Sequence, residues 1–594
     1  MTFSRVLIAS YLGSLAAFAA PDGAALYAKR CAACHDGAPQ QRMPAREEIG
    51  KRAPEEIVKA MFAGAMQPQS AGITPEEGRA IARYLTGKEF RKTEASMSGM
   101  CAADAKPFRM GGTGWNGWGV DTANTRYQTN PGFSAAEAPK LKLKWAFGFP
   151  ETSMAYAQPT ISGGRIFVGS ASGRVYSLDA ATGCTYWSYD AGIGVRTAIS
   201  IGRDAAYFGD LGATVHALDP STGKLLWKTH VDEHPVARIT GAPVFFDGRV
   251  YVSVSSIEEA SAMLSTYECC KFRGSVVALD AATGKQIWKS YSVLDPAKPT
   301  KKTSAGVQLY GPAGAAIWSA PAIDAKRKLV YAATGNSYTD VDINTSNAIL
   351  AIDLDSGRLK WASQVLAKDN FVMGCRPSRE VCPPELGPDL DFGSSPVLST
   401  LPNGKQILLA GQKSSILYGL DPDQKGKVLW QIKLGQGGAL GGIEWGFAAD
   451  GVAAYVAISD RFVRGGGVSG GLHAIRLETG EKLWSTMPAK LDCDPRAKGC
   501  NSAQSAAVSA IPGAVFSGSV DGHFRAYSTK TGEIIWDFNT ARPFETVNGV
   551  AATGGSIDAA GPTIANGMVF TNSGYGMWNG LPGNVLLAFT VGGK

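Results

Sequence analysis

Seven times along this 594-residue chain, a strand-like run reaches a Gly-containing turn and re-emerges as a short apolar run closed by Trp. The words are LDAATGCTYW (Trp187), LDPSTGKLLW (Trp227), LDAATGKQIW (Trp288), IDLDSGRLKW (Trp361), LDPDQKGKVLW (Trp430), IRLETGEKLW (Trp484) and YSTKTGEIIW (Trp536). Gly supplies the positive φ that a tight hairpin needs, and the flanking Val, Ile, Leu and Tyr favour pleated, half-buried strands. A unit repeated at such spacing cannot bury its own face, so the expected fold is an all-β propeller of stacked blades. After the seventh word the chain reaches Val585-Leu586-Leu587-Ala588-Phe589 with no further turn and Trp, whereas an orphan Trp strand, Leu141 to Phe147, precedes the first. Pairing these two would complete an eighth blade and remove the open sheet edges. The propeller is assigned to 115–594, with two separate β domains as the alternative. Wide spacing between the middle tryptophans leaves length for loops, where function usually sits.

Ahead of the repeats, Cys31-Ala-Ala-Cys34-His35 is a CxxCH site, in which two thiols can bond to haem and the histidine can ligate iron. Gly23 to Arg30 reads as a helix that delivers this motif, and Pro54 to Ala63 as a second. A third begins at Thr74-Pro75-Glu76-Glu77, with an N-cap, a proline at the first helical position and an acid three residues on. Residues 21–90 so resemble a small, all-α class I cytochrome c. Motif logic makes His35 the proximal ligand. Met66 in the Gly64-Ala65-Met66 loop is preferred as the distal ligand, over Met61 within a helix and Met43 near the motif; a His/Met pair would raise the potential. Residues 91–114 read as linker.

Residues 1–20 have the pattern of an export signal: Arg5, an apolar run from Val6, then Ala17-Phe18-Ala19-Ala20. A mature periplasmic protein with no transmembrane segment is expected. Ten cysteines suit that oxidising compartment. Cys31 and Cys34 go to haem; Cys375 with Cys382 and Cys493 with Cys500 are plausible local staples, and Cys101 with Cys184 could tie the linker to the first blade. Cys269 and Cys270 are adjacent, so a bond between them would close a strained ring. Net charge is +7, and no basic cluster interleaves with aromatics, so nucleic acid is not an expected partner.

The propeller loops, read in order, resemble those of the quinoprotein alcohol dehydrogenases, which hold pyrroloquinoline quinone (PQQ) and a divalent cation on the ring axis. The resemblance rests on Thr240-Gly241-Ala242-Pro243, the strand leading to Glu258, Ile317-Trp318, Ala333-Thr334-Gly335-Asn336, Asp391-Phe392-Gly393 and Gly411-Gln412-Lys413. It implies that Thr240 contacts the quinone, Trp318 stacks on it, and Glu258, Asn336 and Asp391 serve the metal. It further implies that Asp391 is the catalytic base and Lys413 the cation over the quinone oxygens, with Arg196 pairing a PQQ carboxylate. A hard ion such as Ca²⁺ needs such oxygen ligands and would act as a Lewis acid. Cys269-Cys270 lie later than the family's adjacent cysteines, and their contact with the quinone is expected from a different blade. Asp389-Leu390-Asp391 also has the acid spacing of lanthanide-dependent relatives, with Asp389 the alternative base; calcium is preferred because Phe-Gly follows Asp391.

More of the chain, from about Cys101 onward, resembles the cytochrome-coupled polyvinyl alcohol dehydrogenases. The shared words are Trp115-Asn116-Gly117-Trp118-Gly119, Asn124 to Gln128, Cys269-Cys270-Lys271-Phe272-Arg273-Gly274, Gly441 to Gly446 and Gly554 to Pro562. This resemblance implies oxidation of secondary alcohols to ketones along a polymer, with electrons passing to haem c and on to a soluble cytochrome or respiratory acceptor. A small alcohol or sugar as substrate, or a propeller scaffold that only binds partners, are the competing readings. Glu444 and Trp445 could line a polymer cleft. The five histidines other than His35 are left without a role.

Overall fold

The computed structural model describes residues 22–36, 44–63, 66, 70, 73, 75–90, 99–102, 108–112, 114–375, 379–462, 469–488, 491 and 497–594. The expected export signal (1–20), Met43 and Cys493 therefore lie outside the described residues. Two compact units are present, one of Met1–Val58 with Ile73–Arg91 and one of Lys59–Gly72 with Lys92–Lys594.

The described residues open with five helices: α1 (Gly23–Arg30), α2 (Ala32–His35), α3 (Arg46–Gly50), α4 (Pro54–Ala63) and α5 (Pro75–Thr86). Asp22 caps α1 by accepting the N–H groups of Ala24 and Ala25 at 2.9 and 3.1 Å. Within the first unit α1 packs on α5, with the Tyr27 and Tyr84 rings 5.7 Å apart and Arg46 stacked on both. Ile81 and Ala82 supply the buried face of α5, as its apolar periodicity requires.

The second unit holds the expected propeller, with eight antiparallel blade sheets, seven of four strands and one of five. In the closing blade the strand Leu141–Gly148 pairs with Val585–Val591, Leu141 opposite Val591 and Gly148 opposite Val585. The orphan Trp strand therefore zips the ring shut.

The repeated word has two jobs. Its Asp accepts backbone N–H groups two and three residues on: Asp179 from Ala181 and Thr182, Asp219 from Ser221 and Thr222. These Asx turns set the hairpin. Its Trp reaches across to the next blade, where the indole N–H of Trp187 meets Pro220 O at 3.1 Å, that of Trp288 meets Leu354 O at 3.2 Å and that of Trp484 meets Thr529 O at 2.8 Å. The glycine of each turn is the floor for the preceding blade's indole. At Gly223, φ is 74°, and an added Cβ would stand 2.6 Å from the Trp187 ring. The word thus encodes the turn and its docking together.

Disulfides join Cys101 to Cys184, Cys375 to Cys382, and the neighbours Cys269 and Cys270 across a cis peptide. Cys500 is also disulfide-bonded. Among the described residues no helix is long and apolar enough to cross a membrane.

Candidate active site

In the first unit, the CxxCH residues occupy one turn. Cys31 and Cys34 are in no disulfide, and the His35 N–H bonds to Cys31 O at 3.1 Å. The buried His35 ring places Nδ1 2.8 Å from the carbonyl of Pro44, which fixes the tautomer and leaves Nε2 for a metal. This donor set fits a covalently held haem. Met66 falls in the second unit and is half-buried, its N–H on Ala60 O at 2.9 Å.

On the propeller, a cavity of about 460 Å³ is lined by residues from many blades, among them Arg196, Thr240, Trp318, Asn336, Asp391 and Lys413. The sequence words thus converge on one site. Thr240 donates its hydroxyl to Trp318 O at 2.9 Å, linking two of them. Gly393 lies under the Trp318 ring, where a Cβ would come within about 2.5 Å, so only glycine lets the chain pass beneath this indole. Trp318 meets Trp445 edge-on, with centroids 5.0 Å apart.

Asp391 accepts the Asn336 N–H on Oδ1 at 2.6 Å and faces Lys413 Nζ across 3.3 Å on Oδ2. The Asn336 side-chain NH₂ is taken by the carbonyls of Ser337 and Phe371 at 2.7 and 2.9 Å, which leaves Oδ1 as the end available to a cation. Lys413 is buried and also 2.9 Å from Asp389. Burial opposes its charge, yet Asp389 and Asp391 together hold its pKa above the ordinary value. Asp389 is not among the residues that line the cavity, and burial raises its carboxyl well above the usual range against the pull of Lys413. Of the two candidate bases, Asp391 is the one at the cavity wall.

Two expectations differ from the structure. Glu258 does not line the cavity; its carboxylate is fully buried and accepts Lys271 N–H and Phe272 N–H, each at 2.8 Å, and the Tyr267 hydroxyl at 3.1 Å, with His234 Nε2 at 3.3 Å. The cavity is lined instead by Glu259. Reading the strand through to position 258 assumed strand geometry, but the strand ends at Ser256 and a one-turn helix, α6 (Glu258–Ser261), begins, which rotates the next acid into the cavity. Burial, reinforced by Asp391 and opposed by Lys413, lifts Glu259 to about 7. Cys269 and Cys270 are the second difference. They are buried in the apolar core beside Phe272 and Tyr338, and neither lines the cavity.

The sequence reading missed Arg238. It lies two residues before Thr240, and strand alternation would have put the two side chains on one face. Burial, and then Arg196, push its guanidinium down to about 10. Arg196 Nη2 and Arg238 Nε are buried with no hydrogen-bond partner among the described residues. Orphaned buried cations are costly, so this pair fits an anionic ligand. PQQ is a planar polycarboxylate, and the cavity offers it buried arginines, a flat indole and a lysine. Among the described residues no three of His, Cys, Asp and Glu surround one point. A cation here would draw on Asn336 and on oxygens of the bound cofactor as well as on carboxylates.

Comparison with known proteins agrees with this geometry. Residues 92–266 and 468–590 match the family described as outer membrane protein assembly factor BamB. Residues 230–436 match that described as the β-propeller domain of glucose/ethanol/alcohol dehydrogenases, and 18–85 that of cbb3-type cytochrome c oxidase subunit III. The quinohemoprotein alcohol dehydrogenase of Comamonas testosteroni shares the fold, with TM-score 0.61 at 20% identity over 81% of each chain. A europium-containing methanol dehydrogenase does so at TM-score 0.61 and 17% identity, over 80% of this chain and 98% of its own. Propeller, cavity and haem motif define a PQQ-dependent alcohol dehydrogenase with a cytochrome c domain. A polyvinylalcohol dehydrogenase of Pseudomonas sp is 43% identical over 99% of this chain and 96% of its own length, and one of Sphingopyxis sp. (strain 113P3) is 43% identical over 96% and 93%. The chain belongs to the polyvinyl alcohol dehydrogenase family.

Proposed function

We propose that the cavity oxidises secondary alcohols, polymeric ones of the polyvinyl alcohol kind included, to ketones, and that the electrons leave through haem c held by Cys31, Cys34 and His35. The observation that carries this reading is Asp391 at the cavity wall, between the Asn336 amide and the Lys413 ammonium. Asp391 takes the hydroxyl proton as the C–H bond gives up its electron pair. Bound PQQ supplies the two-electron acceptor, and Ca²⁺ the Lewis acid. Lys413, charged and buried, offsets negative charge that develops beside it. Arg196 and Arg238 hold carboxylates, and Trp318 gives a planar ring a flat support.

For the cation we assign Glu259, Asn336 and Asp391 in place of the set containing Glu258. The rim supports access for a long substrate: Met263 and Trp578 line the cavity yet remain 47% and 42% exposed. Export to the periplasm, with residues 1–20 as the signal and a soluble or respiratory acceptor downstream, completes the reading.

The test mixes haem-loaded protein with PQQ, Ca²⁺ and a secondary alcohol and follows haem reduction by absorbance. Reduction that needs all three additions and is lost in Asp391→Asn supports the reading. PQQ binding without haem reduction, together with turnover of an external dye, would keep the dehydrogenase but remove the internal electron path.

A further inference from the structure

The cavity wall carries a second polar group that the oxidation of a lone hydroxyl does not use. The loop Gly441 to Gly446 lies along the Lys413 segment, with Ile443 N–H on Gln412 O at 3.1 Å, and brings Glu444 and Trp445 into the cavity. Asp558, which lines the same cavity, is saturated. It accepts the Trp445 indole N–H at 2.8 Å on one oxygen and Arg461 Nη1 at 2.9 Å on the other. That buried ion pair fixes the Trp445 ring and with it the path of the neighbouring backbone. Glu444 is treated differently: Ser459 hydrogen-bonds its carboxyl, yet its Oε1 is buried at the cavity wall with no hydrogen-bond partner among the described residues. An unpaired buried oxygen is costly, so a group that completes it on binding is favoured over one that does not.

The position of Glu444 limits what that group can be. A Cβ on Gly393, two residues beyond Asp391, would touch the Glu444 carbonyl at 2.6 Å. The two acids thus project into one cavity from adjoining chain segments. Burial, then the charge of Asp558, lifts the Glu444 carboxyl to about 8. That shift favours the protonated carboxyl, which can both give and accept a hydrogen bond and so suits a hydroxyl better than a carboxylate. Apolar Met154, Leu440 and Met577 line other parts of the cavity and offer only surface for methylenes.

We propose that Glu444 is a specificity residue that hydrogen-bonds a second hydroxyl of the substrate, beside the one at Asp391, so that the site takes 1,3-diols in preference to monohydric secondary alcohols. This rests on the alcohol-oxidising reading above and names its substrate class. The repeat of such a polymer, a hydroxyl on every second carbon, places a neighbour for each hydroxyl oxidised.

The test measures kcat and KM of the PQQ- and haem-loaded enzyme on 2,4-pentanediol and on 2-pentanol, for wild type, Glu444→Ala and Glu444→Gln. Binding of the diol without an electron acceptor is followed in parallel by calorimetry. The expected result is a fall of about tenfold in the diol-to-monohydric kcat/KM ratio in Glu444→Ala, carried mostly by KM and matched by weaker diol binding. Glu444→Gln, which keeps a donor and an acceptor, retains most of the preference. A ratio unchanged in the Ala variant, or a wild type with no diol preference, overturns the assignment while leaving the dehydrogenase intact. A wild type that oxidises neither alcohol overturns both readings.

Discussion

Glu258 and Phe272, separated by 14 residues, meet at 2.8 Å, carboxylate oxygen to backbone N–H, in a fully buried position. This contact and those to Lys271, Tyr267 and His234 make Glu258 the anchor of the segment that carries Cys269 and Cys270. Its neighbour Glu259 faces the cavity with a different task.

The two adjacent acids should therefore fail in different ways. Glu258→Ala leaves buried donors unpaired and is expected to cost about 2–4 kcal/mol of stability, read as a lowered urea midpoint with or without Ca²⁺. Glu259→Gln should leave that midpoint within about 1 kcal/mol in the metal-free protein and weaken Ca²⁺ binding about tenfold or more. The reverse pattern would return the metal role to Glu258.

Arg238 is expected to matter as much as Arg196 for the cofactor. Each has a buried N–H with no partner among the described residues, and removing one member of a buried charge pair typically costs about 2 kcal/mol or more, about 30-fold in affinity. Titration of PQQ into Arg238→Ala and Arg196→Ala, followed by quenching of tryptophan fluorescence, checks this. Unaltered PQQ affinity in Arg238→Ala would exclude it from the cofactor site.

The docking role of the turn glycines separates from their backbone role. Gly223 has φ 74° and the Trp187 ring where a Cβ would go, whereas Gly404 has φ 80° and nothing within 4 Å. Gly404→Ala should cost about 1 kcal/mol for backbone strain alone. Gly223→Ala should cost a further 1–3 kcal/mol or so for displacing the indole. Equal losses in a denaturation series would mean that the indole contact carries no energy.

A buried histidine sets one acid limit on the propeller. Burial lowers His473 from 6.5 to about 4, and its Nδ1 lies 2.7 Å from the Ser485 hydroxyl. Because the folded value is the lower one, between those pH values the unfolded chain binds a proton that the folded chain refuses. Stability from this group is present at pH 7 and lost as pH falls through that window, by roughly 2–3 kcal/mol in all. His473→Gln should flatten this part of the urea midpoint's pH dependence. A slope as steep as in wild type would assign the acid sensitivity elsewhere.

The ring was legible from sequence because one short word repeats the Gly turn and the Trp that docks on the next blade, with an Asx turn in five of its seven copies. The eighth blade could be inferred from an orphan at each end of the series. The cavity residues were legible where a local word accompanies them, as at Thr240, Trp318, Asn336, Asp391 and Lys413, all of which line the cavity. Glu259 was not, because a switch from strand to helix after Ser256 decides which of two adjacent acids turns inward. Arg238 was not, because its role depends on burial beside Arg196, from a different blade, and no local word marks it. The position of Cys269 and Cys270 behind the cavity depends on the Glu258 anchor, a contact between loops that spacing alone does not encode.

The pairing of Leu141–Gly148 with Val585–Val591 has a consequence for synthesis. Intermediate blades can form in order as the chain emerges, but the closing sheet waits for its last strand. Asp558, Tyr575 and Trp578, which line the cavity, belong to that same final stretch. A chain that lacks Val585–Val591 and the stretch before it has no partner for Leu141–Gly148 and is missing those residues of the cavity wall, so ring closure and completion of the pocket depend on the same segment.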